Sequence, residues 1–107
     1  MDFYFASSKE ICKELGARLK AQRLAQLLTQ EDLAKRAGVS AGTVKNIEGK
    51  GQSSMDSVVR IALALGLADH LQSWFTLPLT SIAQMEQADK VARRVRAPRK
   101  ALQRAKR

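Results

Sequence analysis

Hydrophobic residues recur along the chain at helical rather than strand spacing. Ile11, Leu15 and Leu19 set a stripe that passes the polar pair Gln22 and Arg23 and resumes at Leu24 and Leu27. Ser7 and Glu10, just ahead of it, match the S-x-x-E capping box, in which each side chain satisfies a backbone amide near the helix start. Thr29 is a second candidate cap, with Asp32 at the third helical position and Leu33 and Ala37 as the apolar face; Gly38 supplies the left-handed residue that stops this short helix. Ser40 can cap a third helix over residues 41–48 with Val44 and Ile47 inward.

Gly49, Gly51, Ser53 and Ser54 read as a loop. Ser53 with Asp56, or Ser54 alone, then caps a helix carrying Val58, Ile61, Ala62 and Leu65, which Gly66 ends. A fifth helix is expected from Asp69 through Leu71, Trp74 and Phe75. Beyond Pro78, Thr80 or Ser81 can cap a last helix with Ile82, Met85 and Ala92. The segment FYF at residues 3–5 is too short to read as a strand. The expected fold is all-α, five helices over residues 8–77, followed by an extension over residues 78–107.

Composition changes this picture in one respect. The 107 residues carry a net charge of +9, but residues 1–89 hold ten basic and all ten acidic groups and sum to zero. The excess lies in the last 18 residues, KVARRVRAPRKALQRAKR. Bulk basicity therefore does not explain what the helical body does, and Lys90 to Arg107 reads as an arm for sequence-independent phosphate contacts or as a solvated tail. One cysteine forms no internal disulfide, and Cys12 reads as a small packing residue. His70, the only histidine, has no partner at metal spacing, so neither zinc nor any other cofactor is expected. No apolar run is long enough to span a membrane and the first residues do not resemble a signal peptide, so a cytoplasmic protein is expected. Phosphate-cradling loops, nucleophile elbows and paired histidines are missing from the sequence, which speaks against an enzyme.

The informative segment is QEDLAKRAGVSAGTVKNIE, Gln30 to Glu48. Two helices that cross through a tight turn need small residues at their contact and a turn residue tolerant of positive φ. Ala34 supplies the first and Gly38 the second, with Val39, Val44 and Ile47 on the buried side. This is helix-turn-helix spacing. The longer stretch LGARLKAQRLAQLLTQEDLAKRAGVSAGTVKNIE, continuing through VVRIALALGL, resembles the Xre family of lambda-repressor and Cro-like DNA-binding domains.

The resemblance implies a five-helix domain that binds operator DNA as a symmetric dimer, its third helix in the major groove, and acts as a transcriptional repressor. By position it implies that Gln30 meets a phosphate at the start of the second helix, and that Ser40 and Thr43 contact backbone or bases. Ala41, Gly42, Lys45 and Asn46 fall at base-facing sites: Lys45 can donate to guanine and Asn46 can pair with adenine, while Ala41 and Gly42 offer a methyl or a close backbone approach. Their plainer roles are a cap for Ser40, a solvated charge for Lys45 and a tolerated weak point for Gly42. Lys50 falls among the phosphate contacts. Arg23 and Glu48 match an ion pair that links the first helix to the end of the reading helix. The sequence departs from the family pattern where glycine usually precedes the second helix, which is here Leu27 and Leu28, and two residues after the glutamate, which is here Lys50.

Leu71, Trp74, Phe75 and Leu77, with the FYF segment, either complete the core or form the dimer contact. Small Xre proteins with a basic tail also resemble HipB-like antitoxins, which implies an alternative: an interaction protein that neutralises a HipA-like kinase while binding its own operator.

Overall fold

The computed structural model describes residues 1–78 and 85–94. The chain divides into two units, Met1–Trp74 and Phe75–Arg107. The first unit holds a 3-10 turn at Phe3–Phe5 and five α-helices: α1 (Ser8–Ala25), α2 (Gln30–Ala37), α3 (Ala41–Lys50), α4 (Met55–Ala64) and α5 (Ala68–Gln72). In the second unit residues 85–94 are helical, and the expected caps Thr80 and Ser81, Ile82 and the arm beyond residue 94 lie outside the described residues. Among the described residues there is no strand.

Each helix start from α1 to α4 is fixed by a hydroxyl. Ser7 Oγ accepts from Glu10 N at 3.2 Å while Glu10 Oε1 accepts from Ser7 N at 3.2 Å. Thr29 and Asp32 repeat the arrangement at 3.0 and 3.1 Å. Ser40 accepts from Thr43 N and Ser54 from Ser57 N, both at 3.1 Å. Ser54 is thus the cap of α4, whereas Asp56 turns to Arg60 at 2.8 Å. These caps satisfy amides that a helix start leaves without partners.

Three helix ends share one design. Behind α2 and α4, Gly38 (φ 70°) and Gly66 (φ 77°) are left-handed, and the next residue donates back five positions, Val39 N to Ala34 O at 3.0 Å and Leu67 N to Ala62 O at 2.9 Å. Behind α1 the same pair of bonds forms, Leu28 N to Arg23 O at 3.2 Å and Leu27 N to Leu24 O at 3.0 Å. The left-handed position there is Leu27 (φ 58°). This corrects the expectation of an apolar stripe through Leu24 and Leu27, which are 53% and 92% exposed. The turn swings Leu27 outward and brings Leu28 against the core instead.

The core is built on Leu33, Val44 and Ile61, with Ala34, Ala37, Ile47, Ala62 and Leu65 also buried. Small residues at 34 and 37 let α2 pack on both α3 and α4. The backbones of α1 and α3 also approach closely. A Cβ on Gly16 would collide with the backbone carbonyl of Ile47, and one on Gly51 with that of Cys12. Glycine at both positions brings the two backbones together, which also corrects the expected packing role of Cys12: its carbonyl meets Gly51 while the residue is exposed.

Two further corrections concern the end of the unit. Asp69 lies inside the first turn of α5, which starts at Leu67 without a side-chain cap, and α5 stops at Gln72 ahead of Trp74 and Phe75. With no acceptor to anchor its start, the helix completes barely one turn before the chain bends away. At the N-terminus, Asp2 caps the 3-10 turn through Tyr4 N at 2.9 Å, and the Arg18 guanidinium lies 5.2 Å from the Phe3 ring centroid.

Leu27 and Gly16 make opposite predictions about glycine. Holding an L-residue in the left-handed well costs roughly 1–2 kcal/mol, only partly offset by the extra chain entropy that glycine loses on folding. Leu27→Gly is expected to raise stability by about 0.5–1 kcal/mol in urea unfolding. Gly16→Ala, despite its better helix propensity, is expected to lower it by about 2 kcal/mol, because backbone must move to admit the methyl. A neutral or destabilising Leu27→Gly, or a stabilising Gly16→Ala, contradicts this reading of the two sites.

Candidate nucleic-acid interface

Helices α2 and α3 are joined by Gly38, Val39 and Ser40. The left-handed Gly38 reverses the chain, half-buried Val39 packs against the core, and Ser40 starts α3. This order places the buried face of α3, Val44, Ile47 and Glu48, toward α1, α2 and the core. The opposite ridge carries Gly42, Lys45, Asn46 and Gly49, all exposed, at the i, i+3, i+4, i+7 spacing of one helix face. Of the base-facing positions expected from the sequence, Gly42, Lys45 and Asn46 are therefore open to a ligand. Ala41 is half-buried against the core, so packing engages part of its methyl surface. Ser40 Oγ is occupied by Thr43 N and lies 2.9 Å from the Thr43 hydroxyl, so both residues serve the helix start before any ligand.

The buried side of the unit is held by charge. Arg23, 6% exposed, donates Nε to Glu48 Oε2 at 2.7 Å and Nη2 to Glu48 Oε1 at 2.9 Å. Its remaining nitrogen, Nη1, donates to the Leu28 carbonyl at 2.7 Å. Glu48 accepts a third bond at Oε1 from Gln30 Nε2 at 3.1 Å. Among the described residues no buried side-chain nitrogen or oxygen is left without a partner. The hydrogen bond to Glu48 raises the Arg23 pKa further above its ordinary value, against the opposing effect of burial. The pair is bidentate, two guanidinium N–H groups meeting the two oxygens of one carboxylate.

Four chain segments meet in this network: the last turn of α1, the α1–α2 turn, the start of α2 and the last turn of α3. Arg23 and Glu48 pair as the sequence suggests. Gln30 does not stand free at the helix start; its amide is bound to Glu48, a link the sequence reading missed, as it missed the Leu28 carbonyl. Asp32 in the first turn of α2 has its pKa lowered, first by the hydrogen bond from the Thr29 backbone, then by the Thr29 hydroxyl, with Arg36 and Lys35 contributing. At the far end of α3, Lys50 is the last helical residue, and Gly51 (φ 68°) takes the left-handed position that the expected pattern places one residue earlier. Gly16, which sets the α1–α3 distance, was also missed. A glycine inside an otherwise unbroken helix costs about 1 kcal/mol relative to alanine, and that cost was the clue to a close neighbour.

Removing one member of the pair leaves the other charged and buried. Glu48→Gln is expected to destabilise the domain by on the order of 3 kcal/mol, and Arg23→Met to cost a similar amount. The double variant Arg23→Met/Glu48→Gln is expected to cost clearly less than the sum of the two, measured by chemical denaturation as a double-mutant cycle. Strict additivity shows that the two side chains do not act as a pair.

A sequence profile described as a helix-turn-helix domain matches residues 14–75, from α1 through the segment beyond α5. No curated protein matches the chain. Profile and architecture agree on an all-α, lambda-repressor-like fold. More than half of the chain is covered, and the protein belongs to the helix-turn-helix domain family.

Proposed function

We propose that the protein is a sequence-specific regulator of transcription, acting as a repressor in the cytoplasm, that binds double-stranded DNA as a homodimer. The helix-turn-helix assignment supports DNA as the partner. The observation that carries the finer reading is the outward ridge of α3, where Gly42, Lys45 and Asn46 stand exposed directly behind the buried Val44, Ile47 and Glu48. A helix held this way presents side chains of base-reading chemistry to a major groove that admits an α-helix. Lys45 donates to guanine O6 and N7, and Asn46 pairs with adenine N6 and N7. Gly42 allows the backbone to come close, Ala41 adds a methyl edge, and Ser40, Thr43, Gln30 and Lys50 meet phosphates around them. Gln30 does so from the start of α2, where the helix dipole favours an anion, by exchanging its bond to Glu48 for one to phosphate.

Dimerisation is assigned to Leu71 and Trp74 and to Phe75 and Leu77, which follow in sequence. Trp74 is 45% exposed, Phe75 90% and Leu77 67%. Large apolar side chains on the surface in such succession suit an interface. The basic arm from Lys90 supplies phosphate contacts without sequence preference; within its described part, Arg93 pairs with Asp89 at 2.9 Å on an exposed helix surface, which leaves both side chains able to exchange partners.

Footprinting on the DNA upstream of the gene tests the whole reading. Two protected half-sites about 34 Å apart and related by two-fold symmetry are expected. Lys45→Ala and Asn46→Ala are expected to weaken that site by roughly 1–3 kcal/mol each while leaving scrambled duplex unchanged. Equal affinity for operator and scrambled DNA overturns sequence specificity, and protection of a single half-site overturns the dimer.

Truncation after Asp89 tests the arm separately. The dependence of log affinity on log salt is expected to become shallower by about 0.9 for each phosphate that the arm no longer neutralises, with the preference for the operator retained. An unchanged slope assigns the tail to solubility alone.

A further inference from the structure

Beyond the ridge that carries Lys45 and Asn46, the exposed face of α3 runs on to Gly49 and opens into a depression of about 320 Å³ lined by Lys9, Lys13, Gly49, Lys50 and Gln52. Three of these five residues are lysines and none is acidic. Lys9 and Lys13 are one helical turn apart on α1, and they reach the end of α3 because Gly51 lets the α1 backbone come into contact at Cys12. The acids nearest in sequence are engaged elsewhere: Glu10 in the α1 cap and Glu14 with Arg18 at 3.5 Å. None of the three lysines has an ion-pair partner among the described residues. The C-terminal carbonyls of α3 carry a partial negative charge of about one half, which one cation balances and three exceed.

A concavity lined by one sign of charge concentrates counter-ions of the other. A volume of this size equals that of about ten waters, enough for a phosphodiester with part of its hydration shell. Its place along the helix fits the same ligand. From Gly42 to Gly49 the axial distance is about 10 Å, close to the roughly 12 Å width of the major groove. When the first turns of α3 read base edges, its last turn stands at the rim of the groove, where the backbone phosphates are.

We propose that Lys9 and Lys13 of α1, together with Lys50, form a seat for a DNA backbone phosphate at the C-terminal end of the recognition helix. The seat rests on the DNA-binding function proposed above and extends the interface to the first turns of α1, which lie ahead of residues 14–75 matched by the family profile. It fixes how deep and at what angle the helix sits, without reading a base.

Two variants of the full chain test it. Lys9→Gln/Lys13→Gln removes two exposed cations. Gly49→Glu adds a carboxylate to the lining of the depression, at a position where a Cβ meets no neighbour within 4 Å and the helical backbone accepts it. In titrations against operator and scrambled duplexes at several salt concentrations, the double variant is expected to lose affinity for both DNAs by the same factor. Its salt slope should be shallower by about 1 to 2, at about 0.9 per phosphate neutralised. Gly49→Glu is expected to weaken both DNAs alike with an unchanged or higher melting temperature, while Lys45→Ala weakens only the operator. Wild-type-like affinity and slope in both variants, with the wild type still selecting its operator, overturn the seat and leave the function standing. A wild type that binds neither duplex overturns the function, and the seat with it.

Discussion

A single buried ion pair governs how α3 is presented. Arg23 and Glu48 lie at the junction of α1, α2 and α3, where neither charge is stable without the other. Their attraction alone would fix a distance. The additional bonds fix an orientation: the guanidinium is bound in its plane by two carboxylate oxygens and the Leu28 carbonyl, and the carboxylate is bound again by Gln30. A well-packed apolar substitute for such a pair is often as stable or more so, so the pair's distinctive contribution is directional. Rotation of α3 about its own axis would break the three hydrogen bonds that Glu48 accepts, two of them buried. The ridge opposite Glu48 is thereby locked facing outward.

The pair is placed by backbone geometry that carries no charge at all. Gly16 and Gly51 bring α1 and α3 into backbone contact along one line, and Arg23 lies two turns beyond Gly16 on the same helix. The turn that follows supplies the third acceptor. Because Leu27 adopts a left-handed conformation, the chain reverses within two residues and the Leu28 carbonyl lies beside Arg23 while the Leu28 side chain covers the core. An L-residue in this position is strained, yet Leu27 itself is almost wholly exposed and packs on nothing. The conformation therefore belongs to the turn, and Arg23, Leu28 and the core hold it from either side.

Much of this was legible in the sequence, and the division between what was and was not has physical causes. Caps are local: Ser7 with Glu10, Thr29 with Asp32, and Ser40 each need only three residues to declare a helix start, and all three form. Gly38 and Gly66 are legible for the same reason. Leu27 was not, because the signal for a left-handed residue is glycine and the chain uses leucine there; apolar spacing then carried the α1 stripe past the true end of the helix. The Arg23–Glu48 pair was reached through family resemblance, since residues 25 apart have no local signature. Gln30's bond to Glu48 and Gly16's contact with Ile47 depend on how helices cross, which periodicity does not encode. The aromatic residues after α5 misled for a related reason: Trp74 and Phe75 have helical spacing from Leu71, but the helix ends at Gln72 and Phe75 takes a left-handed conformation (φ 58°), again without a glycine to signal it.

Charge also looks different once its positions are known. The +9 of the whole chain arises beyond residue 89, whereas Thr29 to Ser54 is nearly neutral. Within the first unit, charges of opposite sign are separated by role rather than by number: carboxylates are engaged at helix starts and in the buried pair, while Lys9, Lys13, Lys45 and Lys50 stand without ion-pair partners among the described residues along the outward side of α1 and α3. A nearly balanced domain can therefore present a cationic face, because its ion pairs join acids to arginines (Glu14 to Arg18, Glu48 to Arg23, Asp56 to Arg60) and leave these lysines exposed. Under the sequence-specific function proposed above, this arrangement has an advantage over uniform basicity. Attraction to any phosphate scales with total free charge and favours all DNA equally, whereas a few cations on a rigid ridge act only where the phosphates and base edges occupy matching positions.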